Sequence, residues 1–216
     1  MATWVRWPVA AGIGIAIGVL TSYGQAVADV PWSALVNSAS PWLAGAFAAG
    51  ALAIRARPAA VAGPLACSLE VAGYYVTTVL RGYAVAETEI VFWSVCALVG
   101  GPIFGAAGHL WWRSRRPLAA MLLPAAFLAE GIGLYAVVLH YRSTAVLYSL
   151  IGVGLAVLFA LRVRPLRVRS LRAGSLRAGS PWTGPLGRLA VWLVALTVLG
   201  IGGEYVLGHV SRAAFG

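Results

Sequence analysis

The sequence predicts an all-α, polytopic membrane protein with seven transmembrane helices, and three observations carry that reading. The first is composition: 61% of the 216 residues are hydrophobic and only 10% are charged, too little polar surface to cover a soluble core. The second is segmentation, because apolar stretches recur at roughly 5–25, 40–55, 59–82, 90–112, 118–141, 145–162 and 186–209, most of them long enough to cross a bilayer. The third is the placement of arginine, which supplies all 16 basic residues. Arg6, Arg55, Arg57, Arg113, Arg115, Arg116, Arg162, Arg164, Arg167, Arg169, Arg172, Arg177 and Arg188 fall on one side of the predicted layer, against Arg81, Arg142 and Arg212 on the other. By the positive-inside rule the N-terminus is cytoplasmic and the C-terminus is outside. The chain reads as one transmembrane domain over residues 1–216, multi-pass in the cell membrane.

Taken in order, the first segment follows Arg6 and ends near Ala26-Val27-Ala28, which faintly imitates a signal-peptide cleavage site but reads as a retained first helix. The second, about sixteen residues, is at the short end for a span. It closes in Arg55-Ala56-Arg57-Pro58, and the fourth and sixth close in kind, in Arg113-Ser114-Arg115-Arg116-Pro117 and Arg162-Val163-Arg164-Pro165. Arginine suits a cytoplasmic turn and proline the first turn of the next helix. After each turn an odd-numbered segment carries one glutamate near a tyrosine: Glu70 with Tyr74, Glu130 with Tyr135, Glu204 with Tyr205. A lone first helix followed by three helix-hairpin repeats fits this pattern. The third turn is expanded into a basic, low-complexity cytoplasmic loop over residues 163–185, with Leu-Arg-Ala-Gly-Ser in tandem, a topogenic linker against anionic lipid.

Glu70 is the most informative residue. It lies near the middle of an apolar run, where a charged side chain costs roughly 2.5–3.5 kcal/mol on insertion scales. In a helix, Glu70, Tyr74, Thr77 and Arg81 share one face. A structural role, as a helix-joining hydrogen-bonding group or a partner of Arg81, is the bland alternative; depth and the tyrosine one turn on favour function. Glu130 has Phe127, Gly133 and Val137 on its face, a drier surround, and the two readings balance there. Glu204 follows Gly200-Ile201-Gly202-Gly203, which permits close backbone approach or a local break. Glu70, Glu204 and Glu130 are therefore the candidate catalytic acids. Polar and aromatic residues gather in the middle and outer halves of the helices, and Tyr23, Asn37, Trp42, Tyr74, Tyr75, Thr77, Trp93, Tyr135 and Tyr205 are the candidate substrate-binding residues. An interfacial aromatic belt accounts for Trp32, Trp42, Trp93, Tyr141 and Tyr148, but not for the acids. The expectation is a pocket between helices that opens at mid-membrane toward the outer leaflet. His109, beside Trp111 and Trp112, reads as a cytoplasmic interface residue, and Cys67 and Cys96 as small packing residues in separate spans.

Several chemistries are excluded. The sequence has no P-loop, no Gly-x-Ser-x-Gly elbow and no His-Glu-x-x-His pair. Its 6 acids never cluster as a Mg²⁺-binding run, which disfavours metal-assisted ionisation of a diphosphate, and no metal or other cofactor is expected. The formal charge of +10 would suit nucleic acid in a soluble chain, but here it lies in membrane-flanking loops, so no nucleic-acid partner is expected. What remains is carboxylic acids among aromatic rings within the bilayer. Such acids can serve as general acids, and aromatic faces stabilise a cation where water is excluded. These are the needs of acid-initiated cyclisation of a polyene or epoxide, and also of recognition of an amine-bearing small molecule.

In helix number, length and the placement of Glu70 and Glu204, the chain resembles the small seven-helix integral-membrane terpene cyclases of fungal meroterpenoid and actinobacterial indole-terpenoid pathways. Its Ala/Gly/Arg-rich composition looks like that of a high-GC actinobacterial protein. The resemblance implies a metal-independent cyclase that protonates an olefin or epoxide of a prenylated, farnesyl-type substrate, with Glu70 the early acid and Glu204 the late one. Glu130 has no clear counterpart. The implied partners are a lipophilic small molecule, the bilayer, and an upstream prenyltransferase or epoxidase. The rival is a substrate-binding membrane subunit of a vitamin or small-molecule importer with an outward-facing pocket, although such subunits usually have six helices with both ends cytoplasmic. A third reading makes the glutamates structural links between helices.

Overall fold

A computed structural model describes residues 6–36, 38–163 and 184–215. Among them there is no strand, and the elements are α1 (Arg6–Val27), a 3₁₀ turn (Trp32–Val36), α2 (Ala39–Leu52), α3 (Ala56–Leu80), α4 (Glu87–Ser114), α5 (Pro117–Ala129) continuing as a π-helical segment (Glu130–Val138), α6 (Arg142–Val163) and α7 (Pro185–Phe215). The seven helices lie where the apolar segments predict them, within about three residues, except that α7 runs on to Phe215, past the predicted end at 209. Six are long and apolar enough to cross a membrane. The exception is α2, whose 14 residues span about 21 Å against a hydrocarbon core of about 30 Å. Of the predicted 163–185 loop, residues 164–183 lie outside the described residues.

Helices that share one apolar solvent cannot associate by the hydrophobic effect alone, so small residues at the contacts decide which helices meet. On α1, Gly14 rests on Ala66 and Gly18 on the backbone of Glu70 and Tyr74, so residue numbers rise together and α1 runs parallel to α3. On α4, Gly101 meets Gly63 and Pro64 while Gly105 meets Ala59 and Gly63, which makes α3 and α4 antiparallel. Leu43 against Gly100 and Gly50 against Gly105 set α2 parallel to α4. In the second half, Gly131 meets Tyr148 while Gly152 meets Leu128 and Pro124, so α5 and α6 are antiparallel. Ala129 against Gly200 and Gly133 against Ile201 make α7 parallel to α5. The two-residue Arg115–Arg116 turn reverses the chain between α4 and α5. Direction thus alternates at every step, the arrangement that the arginine distribution requires.

The contacts group the helices as four plus three, α1–α4 and α5–α7, with a seam formed mainly by α4 and α2 against α5. The grouping cuts across the hairpins of the repeat: α1 is packed against α3, whereas α6 and α7 both lean on α5 and scarcely touch each other. At the cytoplasmic end, Arg162 lies over the Trp112 ring at 3.7 Å, and Trp111 packs on Phe159 with centroids 4.2 Å apart. His109, expected at the interface, is instead buried there, with Nδ1 3.1 Å from the Ala53 carbonyl that it can satisfy.

Candidate intramembrane acid site

Glu70 and Glu130 both reach α2, each from a different helix, and Glu204 lies on a third helix, α7, which packs along the Glu130 segment. Glu70 comes from α3 and is completely buried, and neither carboxyl oxygen has a hydrogen-bond partner. Two glycines make room for it. A Cβ on Gly45 of α2 would overlap the Glu70 carboxyl and crowd Ile17, and one on Gly18 of α1 would overlap the Glu70 backbone. Arg81, the sequence's alternative partner, is engaged elsewhere: its guanidinium donates to the Ser22 carbonyl and lies 4.9 Å from the Tyr23 ring and 5.1 Å from the Tyr83 ring. An unpartnered buried acid costs the protein about 1–3 kcal/mol or more, and its retention calls for a reason beyond packing.

Aromatic rings stand on the same side. Trp42 lies 5.7 Å from Tyr74 and 5.5 Å from Trp93 between centroids, and Tyr75 meets Tyr74 edge-on at 4.9 Å. The Trp42 indole N–H is a second buried polar group without a partner. The Tyr74 hydroxyl donates to Gln25 Oε1 at 2.7 Å, which ties this wall to α1. Thr77 is buried farther along α3.

Glu130 has a different setting. Its carboxyl accepts the backbone N–H of Ser40 at 2.9 Å and of Ala39 at 3.3 Å. The first N–H groups of any helix lack intrahelical acceptors, and the N-cap residue Ser38 makes no side-chain cap bond, so an acid from the other bundle caps α2. Tyr148 closes the network, hydrogen-bonded to Ser38 and donating to the Ala34 carbonyl at 2.9 Å, with the Tyr135 ring 4.9 Å away. The π-helical segment explains how Glu130 and Tyr135 serve one site. Residues five apart diverge by roughly 140° in an α-helix, whereas i→i+5 bonding brings them onto one face. Both are buried here.

Glu204 is partly exposed on α7, the helix that packs along the π-helical segment of Glu130. The glycines before it make no break. Gly200 provides close approach to Ala129, and Gly202 and Gly203 face open space within a continuous helix. Between these groups lies a pocket of about 30 Å³ lined by Ala39, Trp42, Leu43, Cys67, Trp93, Cys96 and Ala97. Glu130 reaches this wall directly, by accepting the Ala39 N–H, and Cys67 of the wall is on the same helix as Glu70, three residues before it. A volume of this size admits one water-sized group.

The structure therefore brings together Glu70, Glu130, Trp42, Trp93, Tyr74, Tyr75 and Tyr135, with Glu204 on the helix that packs along the Glu130 segment. It does not bring in Tyr23, 54% exposed beneath Arg81, or Tyr205, 63% exposed and set edge-on to His209. Asn37 lies outside the described residues. Ser38 and Ser40 are residues that the sequence reading passed over, and Tyr148 is one that it assigned to the interfacial belt. Tyr148 is fully buried rather than part of an interfacial belt, because Ser38 and Ala34 reach its hydroxyl across the seam, whereas Trp32 and Tyr141 are exposed as a belt requires. The two cysteines, from separate spans, line one pocket.

A model of the family of unknown function DUF6518 matches residues 1–181. The chain belongs to this family. No curated protein and no solved structure matches the chain. The DUF6518 match ends before α7, so it holds Glu70, Glu130, Ser40, Trp42 and both cysteines but not Glu204.

Proposed function

We propose that this DUF6518 protein is an intramembrane enzyme of the terpene-cyclase kind, in which Glu70 protonates an olefin or epoxide at the end of a prenylated, lipid-dissolved substrate. The observation that carries the reading is the Glu70 carboxyl: fully buried, without a hydrogen-bond partner, and one helical turn from a tyrosine that packs on Trp42. A proton donor that spends no hydrogen bond on the protein keeps its O–H for the substrate. The π faces of Trp42, Trp93 and Tyr74 suit the cation that forms once the proton is delivered. Ring closure consumes the double bond, and loss of a proton from a neighbouring carbon ends the reaction, so substrate and product share one formula. In this reading Glu204, partly exposed on α7, receives that proton, and Glu130 holds α2 and its tryptophan in position.

The test is a membrane-fraction assay with linear farnesylated substrates, indole and cyclodipeptide types among them, read by mass spectrometry. A product of unchanged mass and shifted retention, lost in Glu70→Gln, is expected. Unchanged substrate across a broad panel, with membranes that retain an amine-bearing small molecule through Glu70, would instead establish the second reading, a capture subunit of an importer. That reading draws on the same acid-and-tryptophan wall, which suits an ammonium group as well as a carbocation.

A further inference from the structure

A second, larger cavity lies at the opposite, cytoplasmic end of the first bundle and takes no part in the acid site. It measures about 280 Å³, close to the lower limit of small-molecule sites at about 300 Å³, and is lined by Trp7 on α1, Ala49 on α2, Ala53, Ile54 and Arg55 in the α2–α3 turn, and Pro58 and Ala62 in the first turns of α3. Its origin is in the sequence. Ala10, Ala49, Ala62 and Ala66 form the packed floor with Trp7 against them, and methyl groups at these positions leave space above that larger side chains would fill. The mouth is at the depth of the Arg55–Arg57 turn, on the arginine-rich face of the molecule. Arg55 is exposed, lines the cavity and, as N-cap of α3, makes no side-chain cap bond. The Ala53 carbonyl at this wall is engaged by His109.

We infer that this cavity is a binding site for an anionic phospholipid of the cytoplasmic leaflet, its phosphate on Arg55 and the first part of one acyl chain in the alanine-floored space beside Trp7. The lining is apolar except at the arginine, which is the division of a lipid between chain and headgroup. Basic pockets between spans on the cytoplasmic side recognise such headgroups. The inference stands whether or not the acid site is a cyclase.

The test is native mass spectrometry of the purified full-length protein released from micelles containing phosphatidylglycerol and phosphatidylcholine with matched chains. One phosphatidylglycerol is expected to be retained in preference to phosphatidylcholine. Arg55→Gln should weaken its retention roughly fivefold, the equivalent of about 1 kcal/mol for one arginine at the surface, while Arg55→Lys keeps most of it. Ala53→Phe should fill the cavity and abolish retention of either lipid, and Arg113→Gln, a cytoplasmic arginine away from the lining, should change nothing. Equal retention of both lipids by the unaltered protein, or an Arg55→Gln effect no larger than that of Arg113→Gln, would overturn the inference. Displacement by glycerol 3-phosphate alone would also do so, since it would assign the site to a soluble phosphate ester.

Discussion

At the scale of single residues, Glu70 and Glu130 are the same amino acid in opposite states of use. Glu130 spends its oxygens on the start of α2, and Glu70 spends none. Substitution should separate them. Glu70→Gln is isosteric, breaks no bond, and is expected to leave the unfolding midpoint in detergent unchanged while lowering turnover by roughly 10²- to 10⁴-fold, the usual worth of a general acid. Full activity in that variant would remove Glu70 from the chemistry. Glu130→Ala strips the acceptor from two N–H groups, one buried and one partly buried, and should destabilise by about 1–3 kcal/mol, with Glu130→Gln milder because an amide oxygen still accepts. Chemical unfolding followed by circular dichroism reads the difference, and equal midpoints for Glu130→Ala and the unaltered protein would exclude the capping role. Glu70 was legible in the sequence because an acid in an apolar run stands out by itself. The role of Glu130 was not, since its partners Ala39 and Ser40 lie about ninety positions away along the chain.

At the scale of elements, glycine position decides which helix faces meet. Gly12 and Gly18 are both on α1, yet a Cβ on Gly12 would meet nothing within 4 Å, whereas one on Gly18 would run into α3 backbone, which cannot move aside like a side-chain tip. Gly12→Ala should therefore be neutral or stabilising by up to about 1 kcal/mol, the helix propensity gained. Gly18→Ala should destabilise by about 1–3 kcal/mol, the range for overpacking. Similar midpoints for the two variants would show that α1 and α3 are not packed at this register. The ends of the helices followed from the arginine–proline punctuation and from length. The π-helical segment did not, because Glu130 and Tyr135 stand five apart, a spacing that an α-helix does not bring onto one face, and only their shared burial reveals the wider turn.

At the scale of the whole molecule, alternating helix directions place the termini on opposite sides of the membrane. Fusion of a reporter that fluoresces only in the cytoplasm and of a phosphatase that is active only outside it should give fluorescence at the N-terminus and phosphatase activity at the C-terminus. Fluorescence from a C-terminal fusion would leave an even number of crossings, with α2, the shortest helix, the one to withdraw. The four-plus-three grouping also predicts a weak point. Tyr148→Phe removes the hydroxyl that bonds Ser38 and Ala34 across the seam, and it should lower stability by about 0.5–1.5 kcal/mol with the rest of the packing intact. A double-mutant cycle with Ser38→Ala reads the coupling, and simple additivity would argue that the seam is held elsewhere.

The sequence by itself determined the class, the seven helices, the orientation and the three acids, because each rests on a property that a short stretch displays alone: an apolar run, an arginine on one flank, a carboxyl where lipid belongs. The tertiary structure decided what those acids touch. Only packing set Gly45 against the Glu70 carboxyl, carried Ser40 to Glu130, and put Cys67 and Cys96 into one wall. Contact between spans depends on which small residues meet at which depth, and in a bilayer, where every helix face is apolar, no periodicity along one helix names its neighbour.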